Sequence, residues 1–202
     1  YSDPGLIRAN RVDRDQTGRD DTVRVYFDPF LDQQRAYVFS INGYGVQGDA
    51  IMNSGDAFGA FGQLAPGGGV PTAGPLAAIV TGVGEPRGPG AGFWERLMQK
   101  IQPQNHTSGG ARSGLPGDAS WDALFESSGR MVEDGWTAEM AIPFKSLRYP
   151  GRPAGEPHRW GLQIERTIDS KDEAVVWAPI SRNVMGMLRQ MGVLEGMTNL
   201  ST

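Results

Sequence analysis

The segment Trp136–Tyr149, which reads WTAEMAIPFKSLRY, decides the fold class of this chain. Its first half alternates between two sets of side chains, which are Ala138, Met140 and Ile142 on one face and Thr137, Glu139 and Ala141 on the other. A period of two residues indicates a β-strand with one face turned inward. Pro143 has no N–H to donate to a sheet, so the strand must end there or become an edge. Phe144 and Leu147 lie three residues apart, which indicates one helical turn under the sheet.

A second strand is predicted over Arg159–Ile168, RWGLQIERTI, after a turn rich in Pro and Gly. We expect it to lie beside the strand Trp136–Ile142 at the centre of the fold. Further strands are predicted over Thr22–Asp28, Arg35–Asn42, Val46–Met52, Ala174–Trp177 and Arg189–Leu194, with another region of strand pattern beginning at Trp121. Asn42-Gly43 and Asp134-Gly135 are hairpin-turn signals. Several strands, hairpin turns and few helices predict an all-β protein, specifically an antiparallel β-sandwich.

Composition limits the classes of partner. The chain has 202 residues, a net charge of −4 and a pI near 5.2, and it is expected to form a single domain over residues 1–202. An acidic balance argues against nucleic acid as a partner, since nucleic-acid binding requires a basic surface. The absence of cysteine excludes disulfides and thiolate metal sites. No apolar run has the length needed to span a bilayer.

Residues 53–120 differ in composition from the rest of the chain. They hold 16 of the 29 glycines and 7 of the 14 prolines. Such a segment does not build a core of its own, so it is predicted to be a long insertion into the sandwich. Within it, the apolar residues of FWERLMQKI recur at helical spacing, which predicts one short amphipathic helix over 93–101.

The order of five motifs resembles a known family. The motifs are DDTVRVYFDPFLDQQRAYVFSINGYGVQGD, SWDALFES, GWTAEMAIPFKSLRY, RWGLQIERTI and EAVVWAP. Together they resemble the family 9 carbohydrate-binding module and its DOMON-like relatives. The resemblance is closest to the version that precedes a predicted outer-membrane β-barrel in bacterial proteins. It covers residues 1–52 and 118–197.

The resemblance implies a function and a location. It implies a non-catalytic carbohydrate-binding module in the bacterial cell envelope, either periplasmic or associated with the outer membrane. Two alternatives stay open. The first is a structural or interaction domain that docks on its own or a neighbouring outer-membrane β-barrel without a small-molecule ligand. The second is a haem-binding DOMON-like domain, in which a histidine or one of the eight methionines would bind the iron, with Met185, Met187, Met191 and Met197 clustered late in the chain. The same methionines could instead be ordinary packing residues.

The chain departs from the family in two places. The strands that precede the SDPGLI segment in the family are missing here, and the connection between the Asn42-Gly43 turn and the SWD motif is much longer. We therefore expect a fragment of a larger protein. Because unpaired strand edges recruit other strands, we also expect one of two arrangements. Either another chain pairs near Thr22–Asp28, or the glycine-rich insertion folds back over the sandwich.

Candidate sugar-binding residues lie in the late motifs. Trp177 in EAVVWAP stands where sugar-binding members of the family place a stacking tryptophan, and Glu165 and Arg166 on the preceding strand offer partners for sugar hydroxyls. The alternative is that Trp177 and Trp160 are core residues, since tryptophan is highly buried on average.

Acidic residues near the N-terminus suggest a structural calcium ion. The candidates are Asp20, Asp21 and Asp32, because calcium prefers carboxylate and carbonyl oxygens and some members of the resembled family carry calcium. The alternative is a solvated acidic loop that pairs with nearby arginines.

Signals for catalysis or for nucleotide binding are weak. Gly43, Gly45 and Gly48 spell G-x-G-x-x-G, but a hairpin turn precedes them and no helix follows, so a dinucleotide site is not expected. Glu139 and Glu165 would form a carboxylate pair of glycosidase type only if their strands were neighbours with both side chains on one face. No catalytic residue is predicted.

Overall fold

The computed structural model describes residues 3–55, 106–108 (backbone), 115–181 and 183–200. Within these ranges the chain forms β-strands in antiparallel sheets, so the all-β prediction is confirmed. The strands are β1 (Thr22–Asp28), β2 (Arg35–Asn42), β3 (Gln47–Asn53), β4 (His106–Ser108), β5 (Glu126–Val132), β6 (Gly135–Ala141), β7 (His158–Ile168), β8 (Glu173–Val176) and β9 (Gly192–Met197). The predicted helix over 93–101 lies outside the described residues.

One large sheet and one hairpin make up the described strands. The large sheet has seven strands in the order β3-β2-β1-β7-β8-β4, and β9 also pairs with β7. The hairpin is a separate two-stranded sheet of β5 and β6. The predicted pairing of Trp136–Ile142 with Arg159–Ile168 is therefore wrong, because β6 pairs with β5 while β7 pairs with β1, β8 and β9. The partner of β6 is its neighbour in the chain, because the two-residue turn at Glu133–Asp134 joins β5 and β6 directly.

The hairpin packs on one face of the large sheet, which we call face A. Face A carries the β1 side chains Val23, Val25 and Phe27 and, from β2, Tyr37, Phe39 and Ile41. Phe39 meets Phe125, just before β5, edge-to-face at 5.1 Å between ring centroids. Ala138 and Met140 on β6 pack against the same cluster while Thr137 and Glu139 are exposed, so the predicted alternation of β6 is confirmed.

The opposite face of the large sheet, face B, has a core of a different kind. Its apolar residues are Tyr26, Ala36, Val38, Ala50 and Met52, packed against Met187 and Leu188 from the loop before β9. Leu188 begins a 3-10 turn, Leu188–Gln190, and β9 follows it at Gly192 rather than at the predicted Arg189. Face B also carries the polar side chains described below.

A single 3-10 turn, Phe144–Ser146, follows β6 as the spacing predicts. After it, Leu147 and Tyr149 are buried, and the Arg148 N–H donates to the Tyr37 hydroxyl at 3.2 Å. The chain is thus fixed to the large sheet between the hairpin and β7. The helical segments of the described ranges are short, and none has the length and apolar character needed to cross a membrane.

The turn between β2 and β3 forms where Asn42-Gly43 predicts it. Its left-handed residue is Gly45, with φ of 77°, and the Gly45 N–H donates to the Asn42 carbonyl at 2.9 Å. This is a type I turn followed by a glycine bulge. The residue with positive φ is therefore Gly45, two residues after Gly43, the last residue that would have positive φ in an Asn-Gly type I′ turn. The Asn42 side chain accepts from the N–H groups of Tyr44 and Val46 and thereby fixes the turn.

The expected open edge at Thr22–Asp28 is not present, because β1 lies between β2 and β7. Residues from the 53–120 segment pair instead at two other places in the large sheet. Strand β4 pairs with β8, and Asp118 forms a bridge with Ile51 on β3. The described residues of this segment therefore take part in the hydrogen bonding of the large sheet.

Gly129 on β5 should tolerate no side chain. A Cβ there would lie 2.2 Å from the Gly45 nitrogen and 2.7 Å from the Gly43 carbonyl oxygen. Both are backbone atoms, so relief of the clash would require the β2–β3 turn to shift. We expect Gly129→Ala to reduce the free energy of unfolding by about 1–3 kcal/mol. Gly151→Ala, whose Cβ would have no neighbour within 4 Å, is the matched control for urea denaturation. Equal midpoints for the two variants would contradict the close backbone contact.

Candidate functional site

Strand β7 carries two of the predicted sugar-binding residues, and it separates them. Glu165 pairs in register with Arg24 on β1, whereas Arg166 pairs with Val23. Successive residues of a strand point to opposite faces, so Glu165 lies on face B and Arg166 on face A. The prediction that both act on one sugar is therefore wrong. Period two alone would have revealed this, had it been applied to β7.

Glu165 belongs to a buried polar cluster on face B. Arg24 Nη1 lies 3.7 Å from Glu165 Oε1, and the Tyr26 hydroxyl donates a short hydrogen bond to the same carboxylate. Burial, followed by the charge of Glu165, raises the pKa of Tyr26 well above its ordinary value. Burial acts to lower the pKa of Arg24, but the charges of Glu165 and Tyr26 outweigh it, so that pKa is raised. Glu165 is thus paired with Arg24 and Tyr26 inside the core, which indicates a structural role for this carboxylate.

Trp177 lies on face A next to Arg166. The backbone N–H of Trp177 donates to the Ile164 carbonyl at 2.8 Å. This bond continues the β7–β8 pairing, in which Arg166 lies opposite Val175. Trp177 and Arg166 are thus diagonal neighbours on one face, and the Cα atoms of such neighbours lie roughly 7–8 Å apart. Both side chains are partly exposed. We call Trp177 and Arg166 the platform.

A glycine on β9 fixes the position of the indole. A Cβ at Gly192 would lie 2.4 Å from Cζ3 and 2.7 Å from Cη2 of Trp177. The six-membered ring therefore rests directly on the Gly192 backbone, and only glycine leaves room for it. No local sequence pattern indicates this contact, because it depends on β8 and β9 lying along the same side of β7.

Trp160, the other tryptophan considered for stacking, is a core residue. It is fully buried on face A, and its ring meets Phe27 at 6.0 Å and Phe144 at 5.3 Å in edge-to-face contacts. Only Trp177 of this pair is therefore open to a ligand.

An apolar cavity of about 40 Å³ lies between the hairpin and face A. Its walls are Val23, Val25 and Phe27 from β1, Ala138, Met140 and Ile142 from the hairpin side, and Ile164 from β7. Ile164 is the residue whose carbonyl holds Trp177, so the cavity and the platform adjoin. The cavity is partly open to solvent.

The three calcium candidates lie in two different places. Asp20 accepts from the N–H of Asn10, and also from the side-chain amides of Asn10 and Asn42 at 2.6 and 2.7 Å. Asp21 accepts from the N–H groups of Arg8 and Asp169 at 3.2 and 2.8 Å. Both carboxylates bind the N-terminal segment to the sheet.

Asp32 stands apart from them. It follows the opposite end of the seven-residue β1, where its Oδ1 accepts from the Gln34 N–H at 2.9 Å. A strand of that length separates the two ends by about 20 Å. The structure therefore does not bring Asp32 together with Asp20 and Asp21.

A different acidic cluster forms around Arg14, and the sequence did not suggest it. Carboxylate oxygens of Asp15, Asp49 and Asp122 lie within 4.8 Å of one another. Arg14 Nε donates to Asp49 at 2.9 Å and lies 3.6 Å from Asp122, so its guanidinium supplies the positive charge. Asp49 also accepts from the Ala123 N–H at 2.6 Å. Because these partners are 35 and 74 residues apart, no local sequence pattern could have indicated the cluster.

The other chemical signals do not combine into a site. Glu139 is exposed on the outer side of the hairpin, while Glu165 is buried on face B of the large sheet, so they form no carboxylate pair. Gly43 and Gly45 form a hairpin turn, as expected, and Gly48 lies in β3. Of the four late methionines, Met187 is fully buried in the face B core.

Asp28 at the end of β1 is a buried carboxylate with one unsatisfied oxygen. Its Oδ2 accepts from the Gln33 N–H at 2.8 Å, while Oδ1 is buried and has no hydrogen-bond partner among the described residues. Burial raises the pKa of Asp28, although the neighbouring backbone N–H groups partly oppose this.

We expect the stability of the wild type relative to Asp28→Asn to fall as the pH rises. A raised pKa in the folded state means that protonated Asp28 favours folding, and this contribution is complete below the ordinary pKa of aspartate. It is lost as the pH rises through the folded-state pKa. Urea unfolding between pH 3.5 and 7 should show this trend, and Asp13→Asn, at an exposed position, controls for the loss of one charge. A difference between wild type and Asp28→Asn that grows toward pH 7 in favour of the wild type would contradict the assignment.

Gly192→Ala should act through Trp177. The added methyl would push the indole off the strand, and we expect a loss of about 1–3 kcal/mol in the free energy of unfolding. In a Trp177→Ala background the same substitution should cost much less, because the clashing ring is gone. A double-mutant cycle by urea unfolding measures this coupling. Equal costs in the two backgrounds would show that the indole does not rest on Gly192.

No protein-family model matches this chain, and no curated protein or solved structure is significantly similar to it. The resemblance to family 9 carbohydrate-binding modules therefore stays a prediction that rests on the five sequence motifs.

Proposed function

We propose that this chain is a non-catalytic carbohydrate-binding domain of β-sandwich type whose site is the platform of Trp177 and Arg166. The observation that carries the proposal is the partly exposed indole held in place on Gly192, with the partly exposed Arg166 as its diagonal neighbour on the same face. Sugars present apolar C–H faces that stack on an indole ring, and their hydroxyls accept hydrogen bonds from a guanidinium. A ring that is already fixed loses little conformational freedom on binding, which favours affinity.

The arrangement of the strands supports the same proposal. A hairpin packed on one face of a seven-stranded antiparallel sheet is compatible with a two-layered sandwich. The five motifs that resemble the carbohydrate-binding family fall on β1–β3, the segment before β5, β6, β7 and β8 in that order. On this reading the domain belongs to a bacterial envelope protein.

The buried acids support a binding role rather than a hydrolytic one. Hydrolysis of glycosides by the usual route requires two carboxyl groups that flank the same bond. Glu165 is held by Arg24 and Tyr26, and Asp49 is held by Arg14 and the Ala123 N–H. These acids are occupied with partners inside the protein and lie in separate clusters.

A second candidate is an interaction domain that docks on a neighbouring domain or an outer-membrane β-barrel. It is favoured by an exposed apolar pair, since Leu124 is 82% exposed and Phe144 is 38% exposed. The Ser146 hydroxyl donates to the Leu124 carbonyl at 3.1 Å, so the two apolar side chains belong to adjoining loops. Large exposed apolar side chains that lie together mark protein contact surfaces.

Glycan-array screening followed by calorimetric titration tests the first candidate. We expect Trp177→Ala and Arg166→Ala each to weaken binding by about tenfold or more, which corresponds to about 1.4 kcal/mol. Arg159→Ala is the matched control, because Arg159 is an exposed arginine on the same strand that pairs with Glu195 at 2.7 Å. It should bind sugars as the wild type does.

Two results would contradict the carbohydrate proposal. The first is a folded wild-type protein that binds no glycan on the array. The second is binding that Trp177→Ala leaves unchanged. In either case a Leu124→Ser, Phe144→Ser double variant tests the interaction domain, since it should lose association with the partner while remaining folded.

A further inference from the structure

The cavity beside the platform gives the proposed site a chemical preference. We propose that it receives a small acyl or methyl substituent of the bound sugar, so that the domain prefers acetylated to unsubstituted glycans. This inference rests on the proposed function, because it assumes that Trp177 holds the sugar ring. Ile164 joins the two features, since its carbonyl binds the Trp177 N–H and its side chain forms one cavity wall.

The size of the cavity suits a group of two or three heavy atoms. A cavity needs at least about 10–15 Å³ to hold one group of the size of a water molecule. The cavity of about 40 Å³ therefore holds roughly two to four such groups. The methyl group of an acetyl substituent fits this volume, and its carbonyl oxygen stays at the opening, in contact with water. A whole sugar ring is too large, so the ring itself must stay outside, over the platform.

The chemistry of the walls selects an apolar group. The described lining consists of valine, phenylalanine, alanine, methionine and isoleucine side chains. A sugar hydroxyl buried among them would lose its hydrogen bonds to water and find no partner, whereas a methyl group would gain from leaving water. The cavity therefore discriminates against an unsubstituted hydroxyl at that position.

The cavity is accessible from outside, which distinguishes it from a packing defect inside a core. Its β1 wall is buried, with Val25 only 1% exposed, while Ala138, Met140 and Ile142 on the hairpin side are partly exposed. On this proposal a substituent enters between the hairpin and the large sheet through this opening.

The test compares the trimer of N-acetylglucosamine with the trimer of glucose by calorimetric titration. We expect the wild type to bind the acetylated trimer about three- to tenfold more tightly, as burial of one or two methyl-sized groups would give. Ala138→Leu, which fills the cavity, should remove this preference and leave binding of the glucose trimer unchanged. Ala141→Leu is the matched control on the same strand, because Ala141 points outward and is exposed.

A second variant, Met140→Ala, tests the inference independently in case Ala138→Leu misfolds. Met140→Ala enlarges the cavity, so it should extend the preference from acetyl to the larger propionyl substituent. Equal affinity of the wild type for both trimers would overturn the inference while the carbohydrate proposal stands. The inference would also be overturned if Ala138→Leu kept the preference for the acetylated trimer and Met140→Ala left that preference unchanged. Binding of neither trimer, nor of any other glycan, would overturn both proposals.

Discussion

The antiparallel pairing of β1 with β7 is the constraint on which the rest of the structure depends. Its register places Arg24 opposite Glu165 and Val25 opposite Ile164. Because side chains alternate between faces, one register assigns a charged cluster to face B and an apolar surface to face A. A slip of β1 by one residue would turn Arg24 into the apolar layer beneath the hairpin and leave Glu165 buried on face B without it.

The polar contacts at the sheet ends reinforce this register. Asp20 binds Asn42, and Asn42 in turn holds the β2–β3 turn through its side-chain oxygen. The hydroxyls of Thr22 and Thr167 lie 2.8 Å apart across the β1–β7 pair. Each contact is worth only about 1 kcal/mol, but an unsatisfied buried partner would cost more. The network therefore contributes mainly by excluding other registers.

The candidate site exists because β8 and β9 both pair with β7. Strand β8 brings Trp177 to the C-terminal half of β7, and β9 places Gly192 beside its N-terminal half. The indole lies over Gly192 where these two strands adjoin. The hairpin completes the surroundings by leaving a cavity against Ile164. The site is thus a product of strand neighbours, and its members are separated widely along the chain.

The sequence by itself determined the local elements of this protein. The bounds Thr22–Asp28 and Arg35–Asn42, the turn after Asn42 and the inward set Ala138, Met140 and Ile142 all follow from period two and from turn residues, which are local properties. The tertiary structure alone decided which strands became neighbours, as the partner of β6 shows. It also decided the contacts of Arg14 with Asp49 and of Trp177 with Gly192. Such contacts join residues that are distant in the chain, and their geometry depends on the order and register of whole strands, which no local pattern contains.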